Sequence, residues 1–179
     1  MRFTAFLVGF CLVAGTALAQ QPQEPPKPGP EVKRLGVFEG KWTGDAEIKP
    51  SAFSPAGGKM SSKDECTWSD GGWQLVCKGS STGAMGNTTG TNVMGWNADE
   101  KAYKFMGYDS MGMMTTAKGT LKDKTWTWLG VDKVGGKTVH SRYTIVETSP
   151  TSYTFKWETS EDGKTYATIA EGKSTKAAK

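Results

Sequence analysis

From about residue 35 to residue 173, Gly, Asn and Asp punctuate the chain roughly every ten residues, and the segments between them alternate in polarity with a period of two. In GKWTGDAEI, Trp42, Gly44, Ala46 and Ile48 point one way, while Lys41, Thr43, Asp45 and Glu47 point the other. KTWTWLGV sets Trp126, Trp128 and Gly130 on one face. Residues 137–147 oppose Val139, Tyr143 and Ile145 to His140, Arg142 and Val146. Further strands are expected at about 84–95, at 103–108, in a Met-rich stretch at about 111–121, at 153–157 and from Thr165 to Ala170. The pattern predicts about ten antiparallel strands and no helix of ordinary length. A meander of that size must hide its edges by closing or stacking. The expected fold is all-β, a single antiparallel up-and-down β-barrel, with a sandwich as the alternative.

The ends lie outside this pattern. Arg2 is the only charge before residue 24; the apolar run Phe6 to Ala14 follows, then Ala17-Leu18-Ala19. This predicts a secretory signal peptide over residues 1–19, cleaved after Ala19. The apolar run falls short of the roughly 20 residues that span a bilayer. Cys11 lies inside it after Phe10, which does not suit a lipoprotein acceptor. Residues 20–34 begin QQPQEPPKPGPE and read as an extended, disordered Pro/Gln-rich tether. The barrel domain is expected over 35–173, and residues 174–179 form a small basic tail. The expected location is therefore the periplasm or the exterior.

Export changes how the cysteines read. Cleavage leaves Cys66 and Cys77, an even count in an oxidising compartment. In CTWSDGGWQLVC the Asp70-Gly71-Gly72 turn sits midway, so a hairpin centred there places the two cysteines opposite each other. A disulfide is predicted. A redox-active pair lacks the Cys-x-x-Cys spacing. Removing Arg2 lowers the net charge from +4 to +3, and the lysines are scattered without a basic stripe, which argues against nucleic acid as a partner.

Residues 35–44, LGVFEGKWTG, resemble the opening of calycin barrels such as lipocalins and avidins, whose Gly-x-Trp begins the first strand. The match is Gly40-Lys41-Trp42, and the resemblance implies that Trp42 plugs the closed end. A second resemblance is carried by MGWNADEKAYKFMGYDSMG at 94–112, by Gly119, by the WTW of 126–128 and by Asp162-Gly163-Lys164. These are similar to a bacterial family known as domain of unknown function fifteen-seventy-nine. The resemblance covers most of residues 35–170 and implies a calycin-like barrel; the family carries no established activity. The chain departs from it at the end, where Ala170-Glu171-Gly172-Lys173 stands in place of an aromatic-and-arginine strand. Calycins often pack a late basic side chain over the Gly-x-Trp indole, a role the resemblance gives to Arg142 or Lys156.

No complete catalytic motif is present. There is no Gly-x-Ser-x-Gly elbow, no phosphate loop and no Cys/His metal spacing, and His140 is the single histidine. Asp64 and Glu65 are adjacent, so a strand sends them to opposite faces, and Asp109-Ser110 reads as a turn. The expectation is a protein that is not an enzyme, has no cofactor, and binds a small, mostly apolar molecule in its barrel. Candidate wall or rim residues are Trp42, Met106, Tyr108, Met113, Trp126, Trp128 and Arg142. A first alternative is a solidly packed envelope interaction or structural protein. A second is a copper or haem carrier. Thioethers are soft ligands for Cu(I), which singles out Met111, Met113 and Met114; a lone His140 suits an axial haem ligand better than a zinc site.

Overall fold

The computed structural model describes residues 26–177. The expected signal peptide and the first part of the expected tether lie outside the described residues. Ten strands form a closed antiparallel barrel in the order β1-β10-β9-β8-β7-β6-β5-β4-β3-β2. They are β1 Gly40–Ile48, β2 Gly58–Trp68, β3 Leu75–Gly83, β4 Thr88–Asn97, β5 Ala102–Asp109, β6 Met114–Lys122, β7 Thr125–Val134, β8 Lys137–Ser149, β9 Ser152–Ser160 and β10 Ala167–Lys176. Each strand pairs with its sequence neighbours, and β1 closes the ring on β10 from Trp42↔Lys176 to Ile48↔Ala170. Closure leaves no unpaired sheet edge. The β7–β8 hairpin turns on Gly135 and Gly136, both at positive φ, as a tight primed turn demands.

The alternation read from sequence is the alternation of burial. In β1, Trp42, Ala46 and Ile48 are buried while Lys41, Thr43, Asp45 and Glu47 are exposed. Cys66 and Cys77 lie directly opposite across β2 and β3 and form a disulfide. Their separation of 11 residues gives a stabilisation of about 3 kcal/mol in the chain-entropy picture.

Three local expectations are corrected. First, Pro30–Arg34 is not tether but a short helix, α1, followed by a 3-10 turn at Leu35–Phe38. Pro30 suits a first helical turn, and Glu31 and Lys33–Arg34 match the dipole at each end. Val32, Leu35 and Phe38 recur at three-residue spacing and all three are buried. Second, the Met-rich strand starts at Met114, not near 111. Asp109 takes the intervening residues out of the sheet: its Oδ1 accepts hydrogen bonds from the amides of Met111 (2.9 Å) and Met113 (3.0 Å). The backbone oxygen of Asp109 also accepts from the Gly112 amide, and Gly112 sits at φ +83°. Third, β10 extends to Lys176, so residues 174–176 of the supposed tail complete the barrel.

Candidate functional site

The plug formed by α1 and Leu35–Phe38 defines a closed end, and the aromatic residues gather there. Phe38 packs against Trp126 (5.2 Å between centroids) and Tyr153 (5.8 Å). Tyr103 touches Trp126 at 4.8 Å, and Trp126 stacks parallel to Trp128 at 6.2 Å. The indole N–H of Trp42 donates to the Phe38 carbonyl at 2.8 Å, so this buried donor is paired. The Trp126 N–H donates to Glu147, and the same carboxylate oxygen accepts from Arg34, which also lies over the Trp126 ring at 5.3 Å. One carboxylate thus fastens both the plug and the barrel wall.

Lys176 occupies the position over the Trp42 ring, at 5.1 Å. Arg142 does not: it lies on the outer face, ion-paired with Glu158 at 2.8 Å and stacked over Tyr166 at 4.1 Å. Lys156 also turns to Glu158, at 3.4 Å. The last strand therefore supplies the basic partner of Trp42.

The far half of the barrel has a different wall. The registers put Ser62 and Asp64 of β2, Gly79 and Ser81 of β3, Gly90 and Asn92 of β4, and Gly107 of β5 on the inner face. They continue it with Thr115 and Ala117 of β6, Gly130 of β7, Ser141 and Tyr143 of β8, and Phe155 of β9. Apart from Gly107 and Gly130 these inner residues are only half-buried, although strands surround them on every side. They line a lumen that solvent reaches. The inner glycines explain how the lumen stays clear. Gly44, Gly79 and Gly107 leave room for a neighbouring side chain to lie against the wall. A Cβ at Gly79 would collide with the Asp64 carboxylate, and one at Gly44 would lie 2.7 Å from Ser62 Oγ and 2.9 Å from Ser174 Oγ. A Cβ at Gly119 would strike the Trp128 ring.

The electrostatics of the lumen centre on Asp64. Burial raises its carboxyl above the ordinary value, opposed by a hydrogen bond from Ser62. Burial likewise raises the phenols of Tyr143, assisted by the charges of Tyr153 and Asp64, and of Tyr153, where a hydrogen bond with Ser174 opposes it. Nearer the mouth, burial raises Asp132, opposed by a backbone hydrogen bond from Thr116. The mouth itself carries the turns at Ser110–Met113, Gly135–Gly136 and 161–166. On one side it is covered by the β1–β2 and β3–β4 loops, whose Phe53, Ala84 and Met85 pack near Trp157, Met60 and Ile48.

The expected wall residues divide accordingly. Trp42, Trp126 and Trp128 face inward but belong to the packed closed end. Met106 and Tyr108 point outward from β5 and are about half exposed. Met113 is exposed in the turn at the mouth. Of the metal candidates, Met111 shares that turn and Met114 begins β6 on the outer face opposite Tyr108. His140 lies outward on β8, opposite Val131, beneath the Gly163 turn, where a Cβ would meet its ring at 3.3 Å. Among the described residues, no group of three or more His, Cys, Asp or Glu side chains is placed to hold a metal. Sequence reasoning missed Asp64, Tyr143 and Tyr153 as a group. The signal was present: a lone carboxylate on the same face as Cys66 and Trp42.

The outer face of β4–β7 carries a second feature. Val93, Met106, Leu129 and Val131 line a shallow depression of about 710 Å³, with Trp73 beside it and Lys104 and Lys118 at its rim.

No family model and no curated protein matches the chain. Solved structures do match in fold. The S-type phycobiliprotein lyase CPES from Guillardia theta superposes with a TM-score of 0.58 at 10% identity, over 82% of this chain and 92% of that one. Rv2717c from M. tuberculosis gives 0.57 at 8% identity, over 84% and 99%. The protein shares with them the fold of a closed antiparallel up-and-down β-barrel. No helix among the described residues is long and apolar enough to cross a membrane.

Proposed function

We propose that this barrel is an exported, non-catalytic carrier that takes a small, mostly apolar molecule into its lumen. The observation that supports this reading is the half-buried inner wall of Gly, Ser, Thr and Asn between the aromatic plug and the mouth. A barrel built only to be stable fills its interior with side chains. Here small residues hold the stretch between the aromatic cluster at the plug and the smaller cluster of Ile48, Met60 and Trp157 on one side of the mouth. Tyr143 and Phe155, stacked at 5.7 Å, offer apolar surface beside the polar wall, the usual make-up of a small-molecule site. Export rests on the leader-like residues 1–19 and on the Cys66–Cys77 disulfide, a bond that persists in oxidising compartments. Membership of the family domain of unknown function fifteen-seventy-nine is part of the same proposal, carried by the motifs of residues 94–128.

Native mass spectrometry of the protein recovered from the periplasm tests this reading. An extra organic mass supports the carrier; the denatured mass reports cleavage after Ala19. A clean apo mass that persists after incubation with a lipid extract, haem and Cu(I) would sink it. The outer depression on β4–β7 supports a second reading, an envelope interaction protein. That reading gains if Leu129→Asp abolishes a self-association or complex that the unsubstituted protein forms.

A further inference from the structure

The inner wall carries charge of one sign only where the barrel is deepest. Asp64 projects from the middle of β2 toward the lumen, and the Ser62 hydroxyl donates a hydrogen bond to it. No cation pairs with it among the described residues. Of the ammonium groups on inward strand positions, Lys176, in register with Asp64 across Trp42 of β1, turns over the Trp42 ring, and Lys137 stands at the mouth, exposed and 3.6 Å from Glu161. Arg34 is committed to Glu147. Asp109 is committed to its own turn, and Asp132 to the Thr116 backbone.

Around Asp64 the neighbours are aromatic. Tyr143 and Tyr153 are near enough to feel its charge, Tyr153 packs on Trp42 at 4.9 Å, and Phe155 stacks on Tyr143. Both phenols stay protonated at neutral pH, so neither competes with Asp64 as an anion. Gly79 is bare where the carboxylate rests against the wall. A carboxylate among aromatic side chains, on a stretch of wall without a paired basic side chain, matches a positively charged organic group better than a neutral or acidic one.

We propose that the lumen selects ligands bearing an organic ammonium group, held between the Asp64 carboxylate and the rings of Tyr143 and Tyr153. This rests on the carrier reading and names its ligand class. Two contributions oppose each other: the charge-assisted contact, and the cost of drying an ammonium ion. The lumen lowers that cost because it is polar and reached by water.

The test uses three probes on one scaffold, 2-naphthylmethylamine, 2-naphthylmethanol and 2-naphthoate, titrated calorimetrically into the mature protein at neutral pH. The amine is expected to bind about tenfold tighter than the alcohol, and the acid weakest. Asp64→Asn is expected to bring the amine-to-alcohol ratio close to one. Alcohol and amine binding alike overturns the ammonium site while the carrier reading stands. If none of the three binds, both fall. The comparison of probes on the unsubstituted protein decides the matter even if the substituted chain fails to fold.

Discussion

The two halves of this barrel are made from the same strands and differ in what those strands send inward. At the closed end β1, β5, β7 and β9 contribute Trp42, Tyr103, Trp126 and Tyr153, packed on Phe38 of the plug. A few residues further toward the mouth, the same four strands contribute Gly44, Gly107, Gly130 and Phe155. Stability and space are thus separated along the barrel axis. The closed end supplies the larger share of the apolar burial, a smaller cluster around Ile48 and Ala170 closes one side of the mouth, and the stretch between them is lined by small side chains.

The sharpest way to break this comparison is to damage each half equally. Trp126 is fully buried and joins Phe38, Tyr103, Trp128 and Glu147. Trp126→Ala is expected to cost about 3–5 kcal/mol in urea unfolding. Asn92→Ala, on the inner wall of the lumen, is expected to change stability by less than about 0.5 kcal/mol, the size usual for a site without a packed neighbourhood. Similar losses at both sites would mean that the interior is one continuous core.

The disulfide belongs to the closed half by position, since Cys66 and Cys77 pack in the cluster with Leu35, Leu75 and Trp126. Replacing both cysteines by Ala is expected to cost about 3 kcal/mol. The same loss should appear on adding reductant to the unsubstituted protein. A loss restricted to the double variant would assign it to side-chain packing instead of the cross-link.

Filling the lumen tests its emptiness directly. Ser81 faces inward on β3, half-buried, beside Thr88 of β4, whose hydroxyl lies 2.7 Å from its own. Ser81→Phe places an aromatic ring in the lumen. In a packed interior such a change costs about 1–3 kcal/mol. In an open one it is expected to cost less than about 1 kcal/mol and to abolish binding of the naphthalene probes, read by calorimetry alongside urea unfolding.

Most of the architecture was legible in the sequence because a period of two is set by strand geometry and the tight turns by Gly, Asn and Asp chemistry. The facing of Trp126, Trp128 and Cys66 followed from that alone. The candidate site was less legible. Alternation says that Met106 and Tyr103 face opposite ways, but not which way is in, and a conspicuous methionine drew attention outward. Trp42, by its burial, fixes the inner face, and through the register it fixes Asp64 on the same side. The basic partner of Trp42 was missed because Lys176 lies in a stretch that reads as tail until β10 pairs with β1. The plug was missed because Pro-rich sequence hides the buried spacing of Val32, Leu35 and Phe38.

The smallest expected effect is the one that separates the two halves by purpose. At the closed end the carboxylate of Glu147 is held by Arg34 and Trp126. In the lumen Asp64 has no such support, and burial raises its carboxyl above the unfolded value. A carboxyl with a raised folded-state value binds more protons folded than unfolded. Stability therefore falls as pH rises from the unfolded value through the folded one, and the deficit is constant above it. Asp64→Asn should consequently raise the melting temperature at neutral pH, with the gain vanishing in acid below the unfolded value, about 3.9 for Asp. Melting curves of both proteins between acid and neutral pH measure this. A gain at neutral pH together with a lost preference for the amine probe would mark Asp64 as a residue that costs the fold stability and serves the ligand. A loss of stability at neutral pH would instead make it a structural member of the wall, and the division between the two halves would have to be redrawn one layer closer to the mouth.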